Sequence, residues 1–311
     1  MIGSNPKWKK NRLLRAIALP CLKGLAEARA EIRTGIPWLS PWRLVRYGRF
    51  ILAKHRGEAF TAQIPMTGCL MELDPNHWIT HSWYVRADYE PNTIAGLRRF
   101  LRPGMVCMDI GANAGLFALF MATRVGDRGK VYAFEPTAAT FQWLQKNIVL
   151  NTLRNVVAEN VAVTEQAGTV EFHIGPPNLC VYNSIAAVVH PGAKDGQFSR
   201  VRVPAISTDD YCAAHGIGRV DCVKIDVEGA EWRVLKGMRR VLEENLRIVL
   251  LIEFGQTTAA ACGASVDVMA EWLGAMGFQL FRITAKGYLR PLNGAIPTNG
   301  EMVWAARPGV A

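Results

Sequence analysis

The stretch Met105-Val106-Cys107-Met108-Asp109-Ile110-Gly111-Ala112-Asn113-Ala114-Gly115-Leu116 decides how this chain folds. Apolar residues run up to Asp109 and Ile110, glycines punctuate the chain at 111 and 115, and Leu116 to Val125 is again almost wholly apolar. A short apolar run closed by a glycine turn reads as a buried strand, and the longer run after it as a helix. A strand passing through such a turn into a helix is the building unit of a parallel α/β sheet, whose ligands lie beyond the carboxyl ends of the strands. The glycines let backbone pass close to a ligand, and the helix start offers N–H groups with no partner inside the helix.

Working outward, the same alternation repeats. Downstream, the pattern predicts strands at Val131–Glu135, Val156–Ala158, Thr169–Ile174, Arg200–Ile206, Asp221–Asp226, Arg247–Glu253, Phe278–Ile283 and Met302–Ala306. Helices are expected at Ala138–Asn151, Ala230–Glu244 and Val266–Met276. Upstream, Glu90–Leu101 has helical spacing and stops at Arg102-Pro103-Gly104. Residues 59–80 read as short strands with turns. The expected fold is α/β, a Rossmann-like doubly wound sheet that is mostly parallel. No internal repeat is visible, and Gly175 to Ser199 is a long insertion of the kind that often carries function.

Charge divides the chain. Of 36 Lys/Arg and 26 Asp/Glu, residues 1–60 hold 13 and 3, so the remaining 23 and 23 cancel and the whole net charge of +10 sits at the start. Two parts are expected: a basic helical extension over residues 1–80, and a catalytic domain over 81–311. With Trp8, Trp38 and Trp42 interleaved, residues 1–58 suit an anionic membrane surface, an acidic partner or a solvated cap. No apolar run approaches the length of a membrane helix, and the start lacks a convincing secretory signal. Seven scattered cysteines without a C-x-x-C pair read as reduced core thiols. The expected location is therefore cytoplasmic, with a peripheral position at the inner membrane face as a further option. His77, His81, His173, His190 and His215 match no metal-ligand spacing, and no metal is assigned.

Three motifs carry the chemistry. Glu135 closes the second strand, 26 positions after Asp109. An acid there can accept hydrogen bonds from ribose hydroxyls, so the pair points to a nucleoside-bearing cofactor. A dinucleotide favours G-x-G-x-x-G, whereas here G-x-N-x-G follows an acid. A carboxylate repels pyrophosphate and suits an ammonium and a sulfonium, which S-adenosyl-L-methionine carries together. The third motif, Lys224-Ile225-Asp226-Val227-Glu228-Gly229-Ala230-Glu231, stands where another strand meets its helix on the same edge. Asp226 and Glu228 are candidates for the base that removes a proton from an attacking hydroxyl, with Lys224 beside them. Glu228 as a helix cap, and Lys224 as a mere partner of Asp226, are the structural alternatives. Glu253 ends the next strand and reads as a second base, a metal ligand with Asp226, or an ion-pair partner.

These residues resemble the FkbM family of methyltransferases over roughly Tyr89 to Phe254. The ordered markers are Tyr89-Glu90, Asp109 to Gly115, Phe134-Glu135-Pro136, Asn160-Val161-Ala162-Val163, Asn183-Ser184, Ser207-Thr208-Asp209-Asp210, Lys224 to Gly229, Leu235-Lys236-Gly237 and Glu253. The resemblance implies a class I fold and O-methylation, often of sugar hydroxyls. It implies that Asp109, Gly111, Asn113, Gly115 and Glu135 hold the cofactor, with Asn160 and Val161 near its adenine and Tyr89 and Glu90 near its methionine end. Asp226 adjoins both cofactor and acceptor. Thr208 departs from the usual leucine, and Phe254-Gly255 stands where a histidine is common. The N/D-P-P-Y/F motif of many nitrogen methyltransferases is absent after the fourth strand, which favours an oxygen acceptor. The expected partner is a sugar or glycolipid hydroxyl, and nucleic acid is not expected. The alternatives are an RNA 2′-O-methyltransferase, for which Lys286 and Glu301 are the only late candidates, a nicotinamide-dependent oxidoreductase, and a non-catalytic cofactor-binding module.

Overall fold

The structure is a computed structural model that describes residues 41–176, 183–185 and 198–310. Its strands are β1 (Phe60–Gln63), β2 (Leu70–Leu73), β3 (Val106–Ile110), β4 (Lys130–Phe134), β5 (Val156–Glu159), β6 (Ala162–Val163) and β7 (Gly168–Ile174). They continue with β8 (Ser199–Ile206), β9 (Cys222–Ile225), β10 (Val249–Gly255), β11 (Gln279–Ile283), β12 (Leu289–Pro291) and β13 (Asn299–Ala306). The chain divides into two compact units, one running to Pro65 and taking up Glu72–Tyr89, the other holding Met66–Met71 and everything from Glu90.

The first unit contains the helix Pro41–Arg56, whose last turn carries Lys54, His55 and Arg56 where a cation favours the negative helix end. Phe50 meets the His81 ring edge-on at 5.3 Å. Strands were expected up to residue 80, but Trp78–Thr80 is helical and runs into a π-helical turn, His81–Arg86. That turn buries Trp83, Tyr84 and Val85 in succession, which alternation along a strand would not do. Most of the basic extension, residues 1–40, lies outside the described residues.

The second unit is built on an eight-stranded sheet, ordered β12-β11-β13-β10-β9-β3-β4-β5. The pairs β10–β9, β9–β3, β3–β4 and β4–β5 are parallel, and β13 runs antiparallel to both β10 and β11. Helices link the parallel strands, as a doubly wound sheet requires. Such strands are buried on both faces, which is why Val249–Ile252 reads as an unbroken apolar run. Helix Leu116–Val125 is buried nearly all round, so its apolar content shows no polar stripe. A second sheet, β6-β8-β7, packs its own small cluster of Ala162, Phe172, Val203 and Ala205. Cys69, Cys107, Cys212 and Cys222 are buried free thiols. Cys21, Cys180, His190 and most of the insertion lie outside the described residues.

The helix expected over Ala230–Glu244 is two helices, Glu231–Lys236 and Arg239–Glu244. The break has two causes. A Cβ at Gly237 would lie 2.1 Å from the Thr164 carbonyl oxygen, so only glycine fits there. Asp209 then accepts from the amides of Arg240 and Val241, which caps the second helix. Ser207 and Asp210 bond reciprocally at the start of helix Thr208–Ala214, since the Ser207 hydroxyl accepts from the Asp210 amide and donates to its carboxylate. The Ser207-Thr208-Asp209-Asp210 marker is thus a pair of helix caps.

Candidate active site

Four loops leave β3, β4, β9 and β10 on one edge of the sheet. The β3 turn is fixed first by backbone: the amides of Gly111 and Ala112 both donate to the Phe134 carbonyl at the end of β4. Gly111 has φ +84°, and a Cβ on it would stand 1.8 Å from the Asp226 carbonyl oxygen. That approach locks the β3 and β9 turns together and admits no other residue. Asn147, buried on helix Ala138–Leu150, donates to the Ala114 carbonyl at 2.8 Å and supports the same turn from below.

Glu135 joins the β3 and β4 turns. Its Oε2 accepts from the Asn113 amide (3.1 Å) and its Oε1 from the Thr137 amide (2.9 Å). The Thr137 hydroxyl donates to the carboxylate as well, and the carboxylate keeps one further acceptor position for a ligand. Burial pushes the carboxyl up to about 7, against the pull of the Thr137 and Asn113 amides. Asn160 donates to the carbonyls of Glu135 and Pro136 and so ties β5 to the same edge. Val161 packs against the main core. Asn183 donates to the Thr137 hydroxyl at 3.2 Å, bringing the insertion to the Glu135 turn.

Asp109 is 1% exposed, and neither of its oxygens has a well-formed hydrogen bond, although the Ala118 amide is near enough to favour its charge. An ionised group so placed is costly without a compensating cation. Burial and the nearby Asp226 carboxylate push it up to about 6, although Lys224 opposes them. Lys224 is equally buried, donates to Asp226 Oδ2 at 2.6 Å and lies over the Phe117 ring at 4.5 Å. Burial disfavours its charge, but the carboxylates of Asp226, Glu90 and Asp109 hold it protonated. Glu90 takes a left-handed backbone (φ 43°), and one of its oxygens, Oε2, is buried without a partner. Burial raises it to about 7.

Asp226, Glu228 and Glu253 each bring one carboxylate oxygen within 4.8 Å of the other two. Glu228 has φ 54° and Gly229 φ 105°, a strained turn of the sort that surrounding structure must hold in place. Glu231 holds it. That side chain, 1% exposed, accepts from the amides of Val227 (3.0 Å) and Gly229 (3.1 Å). Glu228 does not cap the following helix, which begins at Glu231 after an Ala230 N-cap without a side-chain bond.

The structure therefore brings together Glu90, Asp109, Lys224, Asp226, Glu228 and Glu253 as mutually interacting charges. Gly111, Asn113, Gly115 and Glu135 build the adjoining turn. Tyr89 belongs to the first unit, where its ring meets Trp83 edge-on at 6.1 Å. Glu231 was missed, although it closes the quoted Lys224–Glu231 motif. Its signal was the i, i+2 and i, i+4 reach back to the two amides of a tight turn.

The sequence model described as "Methyltransferase FkbM domain" matches residues 109–280, more than half of the chain. This chain belongs to the FkbM methyltransferase family. The 31-O-demethyl-FK506 methyltransferase FkbM of Streptomyces tacrolimicus is 31% identical over 199 residues, covering 55% of this chain and 76% of that protein. Methyltransferase 1 of Beauveria bassiana is 31% identical over 143 residues, 42% of this chain and 57% of that one. The hexuronic acid methyltransferase AglP of Haloferax volcanii is 28% identical over 151 residues, with 48% and 56% covered. The match thus spans little more than half the length of the fungal and archaeal relatives. The FkbM domain here is an S-adenosylmethionine-dependent methyltransferase domain, and its residues fit that donor. An acid that buries two unpartnered oxygens, beside further carboxylates and a single lysine, awaits a cationic ligand, and the donor's sulfonium and ammonium are cations.

Proposed function

We propose that this FkbM-family chain transfers a methyl group to a hydroxyl of a sugar-bearing acceptor, in a glycan, glycolipid or related metabolite. The observation that carries the reading is the meeting of Asp226, Glu228 and Glu253 at one sheet edge beside the Gly111 turn. The donor supplies an electrophilic methyl group and leaves with the electron pair as S-adenosylhomocysteine. Glu135 is assigned to the ribose hydroxyls and Asp109 and Glu90 to the cationic end. Gly111, Asn113 and Gly115 provide the close backbone, and Asn160 and Val161 the adenine side. Tyr89 is assigned to the methionine end on the family resemblance alone. Asp226 takes the hydroxyl proton as the new C–O bond forms, with Lys224 fixing its orientation and Glu228 and Glu253 completing the acidic wall. Alignment of donor, acceptor and base accounts for most of the acceleration.

Relatives support the reading by their names: the 2-O-methyltransferase NoeI of Sinorhizobium fredii names an oxygen acceptor, and hexuronic acid methyltransferase AglP names a sugar acid. The RNA 2′-O reading has less support. Glu301, one of its two candidates, is spent on Arg282 through bonds of 2.6 and 3.1 Å. Mass spectrometry of glycans and glycolipids from cells with and without the gene tests the proposal. A methyl group missing from a sugar is the expected result. Unchanged glycans with a lost RNA 2′-O-methyl group would overturn it. A separate role for the first unit rests on helix Pro41–Arg56, which exposes Trp42, Leu44 and Val45 among Arg43, Arg46 and Arg49. We assign it to an anionic membrane surface. Co-sedimentation with phosphatidylserine vesicles that is unchanged in Trp42→Ala/Arg46→Glu would dismiss that assignment.

A further inference from the structure

The sequence assigned no metal but offered Glu253 as a metal ligand with Asp226, and the structure brings both together with Glu228. Among the described residues, Glu90, Asp109, Asp226, Glu228, Glu231 and Glu253 face a single buried cation, Lys224. S-adenosylmethionine adds a net charge of about +1, from a sulfonium, an ammonium and a carboxylate. Two of the carboxylates are already occupied: Glu231 by the Val227 and Gly229 amides, and Asp226 Oδ2 by Lys224. Glu253 differs from these. Its Oε2 is enclosed, with no hydrogen-bond donor among the described residues. Glu228 is held in a left-handed turn that aims it at the same point. Gly300 opposite Glu253 leaves room, since a Cβ there would come to 3.1 Å of Glu253 Oε1.

We propose that Asp226, Glu228 and Glu253 bind a divalent cation that prefers oxygen ligands, Mg²⁺ or Mn²⁺. The inference rests on the reading of this edge as the acceptor site. Three carboxylate oxygens lie within 4.8 Å of one another, near enough for a hard cation to draw them in as ligands on one of its faces. The three remaining positions of an octahedron belong to water and to two neighbouring hydroxyls of the acceptor, so the ion selects a vicinal diol. Bound to the cation, the reacting hydroxyl would lose its proton more readily, and that proton would pass to water. The methyl carbon then exchanges its bond to sulfur for one to oxygen, and no electron acceptor is needed.

The test uses the full chain, stripped with a chelator and saturated with S-adenosylhomocysteine. Mn²⁺ is titrated while its free signal is followed by electron paramagnetic resonance, and Mg²⁺ is then added as competitor. One Mn²⁺ site displaced by Mg²⁺ is expected. Glu253→Gln and Glu228→Gln should each weaken Mn²⁺ binding by at least about tenfold, while S-adenosylhomocysteine affinity stays within about twofold. Absence of Mn²⁺ binding at millimolar metal, or binding that both variants retain at wild-type strength, overturns the site. The S-adenosylhomocysteine titration reads the cofactor assignment separately, so failure of the metal site is distinguishable from failure of the donor crevice. It also serves as the folding control for the variants.

Discussion

Replacing Asp109 with Asn should make the cofactor-free protein more stable and its cofactor weaker. Asp109 is 1% exposed, both oxygens lack partners, and its pKa rises from 3.8 to about 6. A shift of about two units corresponds to about 3 kcal/mol of destabilisation once pH exceeds 6. Asparagine removes the charge but keeps two polar groups to bury, which returns about 1–2 kcal/mol of that gain. The net expectation at pH 8 is about 1–2 kcal/mol, or a Tm higher by about 2–8 °C for a domain of this size. The sign depends on pH. Because the folded pKa lies above the unfolded one, the ionisation penalty is absent below about 3.8 and complete above about 6. The advantage of Asp109→Asn should therefore disappear at pH 4. Against a cationic ligand the lost charge costs about 1.5–3 kcal/mol, a rise in Kd of about 10- to 150-fold. Scanning calorimetry at pH 4 and 8 and isothermal titration with S-adenosylmethionine read both quantities. A variant with a lower Tm at pH 8 and an unchanged Kd would refute the reasoning and make Asp109 a structural residue.

Gly111→Ala should abolish cofactor binding, because its Cβ would meet the Asp226 carbonyl at 1.8 Å with φ at +84°. The cost is expected to exceed about 3 kcal/mol in chemical denaturation, and a soluble variant that still binds S-adenosylhomocysteine would contradict the packing described. Lys224→Met leaves buried carboxylates without their cation. Urea unfolding at pH 8 should show a loss of about 3–5 kcal/mol, shrinking at pH 5 as the carboxylates take up protons. For Glu135, at about 7 when folded and 4.5 otherwise, apo stability should fall by about 3 kcal/mol as pH rises from 4.5 to 7. Ligand affinity should move the other way. S-adenosylhomocysteine Kd should rise about tenfold between pH 8 and 6 as Glu135 protonates, and a flat profile would remove Glu135 from the ribose.

The parallel half of the sheet was legible because buried strands and helices differ so sharply in length and flanking glycines. Helix Leu116–Val125 ends at the residues the sequence indicated, and β3, β4 and β9 fall within a residue or two. The region around Gly237 was not legible, since helical spacing continues through it and the break depends on two residues distant in sequence, Thr164 and Asp209. Residues 78–80 departed from the expected strand for a related reason: they lead into a turn whose burial of Trp83, Tyr84 and Val85 in succession favours a π-helix. In the site, Asp109, Glu135 and Asp226 could be named from strand ends alone. The roles of Glu231 and of Glu135 as clamps on backbone amides could not, because such bonds depend on turns whose geometry exists only after folding.

The most direct test is isothermal titration of the full chain with S-adenosylhomocysteine at pH 8, wild type beside Glu135→Gln, with NAD⁺ as the control ligand. One site per chain, at least about tenfold weaker in the variant and silent towards NAD⁺, is the predicted result. A wild-type protein that ignores S-adenosylhomocysteine, or a variant that binds it equally well, would contradict the assignment of this crevice to the methyl donor.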